Sequence, residues 1–319
     1  MERRTEPIRD LQADTAVTRL QAAPGWYTAN LPEGWTLKTP SGGVLMTVAL
    51  RAMQAEVNDA DLRLVSANTH FCSAVPAGPL EVRVEVLRHG GAAAQVRAAL
   101  SSSAVPGPGL EVSATFIRDR DGIDLIDAVF PDVPAPDDSP EMRNTTPFDR
   151  LDTPPFFHNF DCRLALGQPW WRKGWEPGAA RLARWYRYLV PQTLADGRLD
   201  PLSIPPIADT MPPALIQKLG PDHEPFFAPS LDLTVHFLQD STSPWLLTDV
   251  RARHARAGYA HADVDIWDDE GRLIAVATQM MMLRRSPQLV AMSARASKNR
   301  GPVRRRVIPH RGPRSRVRN

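Results

Sequence analysis

Strict alternation of apolar and polar residues is the clearest signal along this chain. Leu80, Val82, Val84 and Val86 alternate with Glu81, Arg83 and Glu85, the period of two that marks a strand with one face buried and one face in water. His89-Gly90-Gly91 supplies a turn, Ala92 to Leu100 returns, and Val112 to Ile117 reads as the next strand. Upstream the period changes. Leu45, Val48, Ala49 and Ala52 recur at helical spacing within Val44 to Met53, behind Gly42-Gly43, which predicts an apolar helix with a glycine-rich start. Asp14 to Gln21 reads as a short polar helix. Trp26 to Asn30 reads as a strand stopped by the turn signal Pro32-Glu33-Gly34.

The same order of elements recurs in the second half. Pro212-Pro213 suit the first turn of a helix, where missing N–H groups cost nothing, and Ala214 to Leu219 extends it, with Asp209 just upstream near the capping region. Ser230 to Phe237, Trp245 to Ala252, Tyr259 to Trp267 and Leu273 to Leu283 follow as strands, preceded by Phe160 to Leu166 and Arg181 to Val190. His-Phe ends a strand in both halves (His70-Phe71 and His236-Phe237), and an Ala-Thr pair marks the last strand of both (Ala114-Thr115 and Ala277-Thr278). Each unit is therefore expected to wrap one buried helix in about five antiparallel strands, an economical way to bury both elements. Two such units side by side can continue one sheet and cover an otherwise exposed edge.

At 319 residues the chain suits about two domains of roughly 150 residues. The boundaries expected are 1–130 for the first unit, 131–158 for a Pro- and Asp-rich linker, 159–285 for the second unit and 286–319 for a tail. The net charge of +2 conceals a split: residues 284–319 hold 12 Lys/Arg and no Asp/Glu, which leaves 26 basic against 36 acidic side chains before them. The tail is expected to stay disordered, with contact to an anionic surface as the alternative. Two cysteines cannot make a disulfide framework and no Cys/His spacing resembles a zinc site, so neither metal nor cofactor is expected. Without an apolar signal segment or a stretch of about 20 apolar residues, a cytoplasmic location is expected. The tryptophans at 170, 171 and 175 read as aromatic packing at a domain seam rather than as a ligand platform.

Several residues taken in order carry a family resemblance. They are Trp35 and Gly42-Gly43, Ala208-Asp209, Ser230-Leu231-Asp232 with His236-Phe237, Trp245-Leu246-Leu247, Trp267 to Ala275, and Ala277-Thr278-Gln279. Over residues 14–285 the chain resembles the type II acyl-CoA thioesterases, in their thioesterase-like branch. The resemblance implies an α+β double hot-dog fold, lipid metabolism, an acyl-CoA or other acyl thioester as substrate, and association into homo-oligomers. It also implies a site built from the Asp before the second helix, the hydroxyl two positions before an Asp on the next strand, and a Gln on the last strand. These match Asp209, Ser230 and Gln279. The basic tail and Met280-Met281-Met282-Leu283 depart from the family pattern.

Thioester hydrolysis needs a positioned water, an acceptor for its proton and donors for the developing oxyanion. Asp209 is the carboxylate of the set, and Ser230 and Gln279 can hold the water by hydrogen bonds. Backbone N–H groups of Gly42 and Gly43 are candidates for binding the substrate carbonyl, with close packing at the start of the helix as the other reading. Asp209 as a plain helix N-cap is likewise open. In the first half the corresponding places hold Leu64 (for Ser230) and Phe116 (for Gln279), so only the second copy is polar there. Asp232 and His236 admit an enoyl-thioester hydratase or dehydratase, but His70 recurs in the first half, which favours a structural histidine. A non-catalytic acyl-CoA-binding protein is the third reading.

Overall fold

The computed structural model describes residues 7–142, 154–170 and 172–285. The expected tail at 286–319 and Trp171 lie outside the described residues, as does part of the expected linker. Four α-helices are described, α1 (Leu11–Asp14), α2 (Gly42–Val57), α3 (Ile204–Ala208) and α4 (Pro213–Leu219). The strands of the first half are β1 (Thr18–Arg19), β2 (Trp26–Leu31), β3 (Arg63–Phe71), β4 (Gly78–His89), β5 (Ala93–Ser102) and β6 (Val105–Ile117). Those of the second half are β7 (Phe160–Leu166), β8 (Arg181–Tyr188), β9 (Phe226–Phe227), β10 (Asp232–Phe237), β11 (Leu246–Arg256), β12 (Tyr259–Asp268), β13 (Leu273–Met282) and β14 (Arg284–Arg285).

Twelve of these strands form one sheet in the order β1-β2-β4-β5-β6-β3-β10-β13-β12-β11-β8-β7, while β9 pairs only with β14. The two halves meet where β3 and β10 pair antiparallel, with Asp232 opposite His70 and His236 opposite Ser66. The Asn68 side-chain amide donates to the Thr234 hydroxyl across that seam at 2.7 Å. Edges that each half would otherwise expose are thereby used up in joining them.

Helix α2 is apolar almost all round, with Val44, Leu45, Met46, Val48, Ala49, Leu50, Ala52 and Met53 all buried. A helix of that character needs cover on every side, and the curved sheet provides it on one. The cover on the opposite side comes from the second half. Three α2 residues four apart, and so on one face of the helix, each take hold of the segment 200–209. Arg51 pairs with Asp200 at 2.8 Å, the Thr47 hydroxyl donates to the Leu202 carbonyl at 2.9 Å, and the Gly43 N–H donates to the Asp209 carboxylate at 3.0 Å.

A second, smaller apolar cluster lies on the outer face of the second half, around Ala183, Trp185, Trp245, Leu247 and Trp267, with Phe130 packed on it. Trp185 donates its indole N–H to the Pro134 carbonyl at 3.0 Å. The start of the Pro-rich connector therefore lies over the sheet instead of simply spanning the two halves.

Three expectations shift. The N-terminal helix is Leu11–Asp14, followed by β1, so Asp14 to Gln21 is not helical as a whole. Asp10 caps it by accepting from the Gln12 N–H, and this cap sets the start earlier than the polar run suggested. In the second half Ile204–Ala208 forms a helix of its own ahead of α4. Two consecutive prolines, Pro205 and Pro206, fit its first turn. Ser230 precedes β10 and makes only an isolated bridge with Met281.

Replacing Thr47 by Val keeps the side-chain shape but strips the buried Leu202 carbonyl of its hydroxyl partner. An unfolding free energy lower by about 1–3 kcal/mol is expected in urea titration.

Candidate active site

Asp209 is the C-cap of α3, its N–H donating to the Pro205 carbonyl at 3.1 Å. The following helix is capped by Pro212 without a side-chain bond, so the plain N-cap reading of Asp209 does not hold. Its carboxylate is buried and turned toward β10 and β13. Ser230 donates to Asp209 Oδ1 at 2.7 Å. Gln279 Nε2 donates to the same oxygen at 2.5 Å and to Ser230 Oγ at 2.6 Å. The three residues therefore meet in one closed set of hydrogen bonds, although 21 and 49 positions separate them in turn.

Each position has a local cause. The short bridge between Ser230 and Met281, with Leu231 N–H donating to the Met280 carbonyl at 2.8 Å, brings the approach to β10 alongside β13. Gln279 lies on the inward face of β13 with Ala275, Ala277 and Met281, all buried. Its Oε1 has no hydrogen-bond partner among the described residues, so the amide keeps an idle acceptor inside the site.

Burial pushes the Asp209 carboxyl above its ordinary value. The Ser230 hydroxyl, the Gly43 N–H, the Gln279 amide and the Gly42 N–H act against that shift, but burial prevails. Gly42 and Gly43 form the first turn of α2, whose N–H groups have no partners within the helix. The positive end of the helix dipole points the same way, so the carboxylate occupies the position that anions take at helix N-termini.

The glycines also serve close packing. A Cβ on Gly43 would lie 2.2 Å from the Pro205 carbonyl oxygen, and one on Gly42 would lie 2.6 Å from the Phe71 ring and 3.0 Å from Asp209 Oδ2. In this structure the Gly43 N–H is therefore committed to Asp209. Sequence reasoning placed these donors against a substrate carbonyl and missed their contact with the carboxylate.

The first half has no such polar set. Leu64 and Phe116 are buried apolar side chains that pair across β3 and β6. Asp232 is turned to the backbone and accepts from the Met280 N–H at 2.8 Å, while His236 is exposed. Neither joins Asp209. Trp170 packs at the edge of the main core, and Trp175 donates its indole N–H to the Arg172 carbonyl at 3.0 Å.

Family models match two stretches that together span most of the chain. Residues 31–117 match the acyl-CoA thioesterase N-terminal domain and residues 131–283 match the acyl-CoA thioesterase C-terminal domain. The chain belongs to the acyl-CoA thioesterase family. Its fold is the double hot-dog of that family, and thioester hydrolysis is the family's chemistry. A protein of unknown function with a hot-dog fold from Alicyclobacillus acidocaldarius superposes with a TM-score of 0.72 at 19% identity, over 86% of this chain and 98% of the other. A putative thioesterase from Novosphingobium aromaticivorans is 26% identical with a TM-score of 0.67, covering 84% and 98%. Acyl-CoA thioesterase II TesB2 from Mycobacterium marinum is 20% identical with a TM-score of 0.67, covering 88% and 100%. The search of curated proteins gives no match. No helix among the described residues is long and apolar enough to cross a membrane.

Two measurements follow for these residues. Gly43→Ala forces its new methyl group against a backbone oxygen, and a loss of about 1–3 kcal/mol of stability is expected in denaturant titration. The raised carboxyl of Asp209 gives a pH signature. A carboxyl whose folded pKa exceeds its unfolded one binds its proton more tightly when folded, so its contribution to stability is lost as pH rises through the folded value. Unfolding free energies of the protein minus those of Asp209→Asn, taken from pH 4 to pH 8, should therefore fall with pH and level off above the raised pKa.

Proposed function

We propose that this protein hydrolyses an acyl-CoA to the free acid and coenzyme A, using a water held by Asp209, Ser230 and Gln279. The observation that carries the reading is the closed hydrogen-bonded set of a buried carboxylate, a hydroxyl and an amide, with distances of 2.5–2.7 Å. Asp209 accepts a proton from the water as its oxygen attacks the thioester carbon. Burial raises the basicity of the carboxylate, which suits a proton acceptor that works near neutral pH. The C–S bond of the tetrahedral adduct then breaks, and the proton on Asp209 passes to the departing sulfur.

Ser230 and Gln279 fix the line of attack, and the idle Oε1 of Gln279 is an acceptor for the second hydrogen of the water. The first turn of α2 supplies the donors for the substrate oxygen. While Asp209 is charged, the Gly43 N–H is held by it. Once the carboxylate has taken the proton, the negative charge resides on the substrate oxygen, and the N–H groups of Gly42 and Gly43 are drawn to it instead.

A thiol-release assay across acyl-CoA chain lengths tests the reading. Asp209→Ala should lower kcat by about 10²–10⁴-fold, and an Asp209→Ala, Gln279→Ala double mutant with full activity would remove the site from consideration. The rise of kcat/KM with pH should follow a group titrating above the ordinary carboxylate range, because the base acts only when deprotonated.

A further inference from the structure

Arg184 stands at the middle of β8 and is fully buried. Its strand neighbours on the same face, Leu182 and Tyr186, belong to the main core, whereas Ala183 and Trp185 face the outer cluster. The guanidinium therefore points inward, under the turn that follows α3. Nη2 donates to the Thr210 carbonyl at 2.5 Å and to the Thr210 hydroxyl at 2.8 Å. Nε and Nη1 have no hydrogen-bond partner, and no carboxylate pairs with the side chain among the described residues. Cζ lies over the rings of Trp170 and Tyr186, 5.5 and 5.2 Å from their centroids.

A guanidinium carries five N–H donors and keeps its charge at any pH the protein meets. Nη2 uses two of them, so Nε and Nη1 leave the other three idle inside the core. Aromatic faces temper a buried cation but accept none of its in-plane N–H groups. A buried charge without a counter-ion is strongly destabilising, and a Met of similar volume would fill the space without that cost. Thr210 directly follows Asp209, so the guanidinium is tied through Nη2 to the residue next to the carboxylate.

We propose that Arg184 receives the far end of a short acyl group that itself carries a carboxylate, so that the substrate is the coenzyme A monothioester of a short dicarboxylic acid. The inference rests on Asp209 being the base at the thioester end. A carboxylate supplies both what the guanidinium lacks, an acceptor and a negative charge. A hydroxyl would supply only the first.

The test compares esters matched in length, succinyl- with butyryl-CoA and glutaryl- with pentanoyl-CoA, in the full-length protein and in Arg184→Met and Arg184→Lys. The carboxylate-ended esters should be preferred in kcat/KM by about ten- to hundredfold. Arg184→Met should lose that preference, the kcat/KM ratio between matched esters falling to near one. Arg184→Lys keeps the charge and should keep part of the preference, and it decides the matter if Arg184→Met does not fold. The same ratio between matched esters in the unaltered protein and in the variants overturns the inference and leaves the hydrolytic reading standing. If no ester is turned over, the hydrolytic reading fails. Binding of non-hydrolysable thioether analogues of the same pairs then answers for Arg184, with equal affinities in the unaltered protein and Arg184→Met counting against it.

Discussion

The row of Gly43, Thr47 and Arg51 along one face of α2, set against residues 200–209, is the contact on which the rest of this structure depends. It is a chain of unlike interactions, namely a backbone N–H on a carboxylate, a hydroxyl on a carbonyl, and an ion pair. Side chains at any of the three places must fit a partner more than 140 positions away in sequence. Remove the row and α2 loses its cover, the helix that ends at Asp209 loses its seat, and the carboxylate loses a donor. Stability and the proposed chemistry are thus anchored at one place.

That place also explains the electrostatic balance. A carboxylate taken out of water is unfavourable unless several donors meet it. Asp209 is met by a hydroxyl, an amide and a helix N-terminus, yet burial still raises its pKa. The site is accordingly left incompletely satisfied, with the idle oxygen of Gln279 beside the carboxylate. Incomplete satisfaction of this kind is what a reacting water requires, and it sits among groups that tight packing holds in position.

The strands were legible because their alternation reports which face is buried. Leu80, Val82 and Val84 are buried and their charged neighbours Glu81, Arg83 and Glu85 are exposed, as the pattern implies. The doubled order of elements likewise foretold one sheet running through both halves. What could not be read was anything that depends on distant partners. Asp209 looked like a helix start because local chemistry cannot show that Gly43, 166 positions earlier, donates to it. The separate helix at Ile204–Ala208 was hidden by its two prolines, which resemble a helix start as much as a break. Arg184 drew no notice, since an arginine in the run Arg181, Arg184 and Arg187 looks solvated, although the period of two sets it with Leu182 and Tyr186 on the inward face.

The seam between β3 and β10 makes the molecule a dimer written as a single chain. In a true homodimer a two-fold axis would force both halves to keep the same residues, and each helix start would face an identical acid. Joining the halves covalently lifts that constraint. One half is then free to specialise as scaffold, with Leu64 and Phe116 serving only the core, and to lend its glycine-opened helix to a carboxylate that it does not itself carry. Covalent linkage here does more than tether two domains, because it lets the molecule abandon symmetry while keeping the geometry that symmetry would impose.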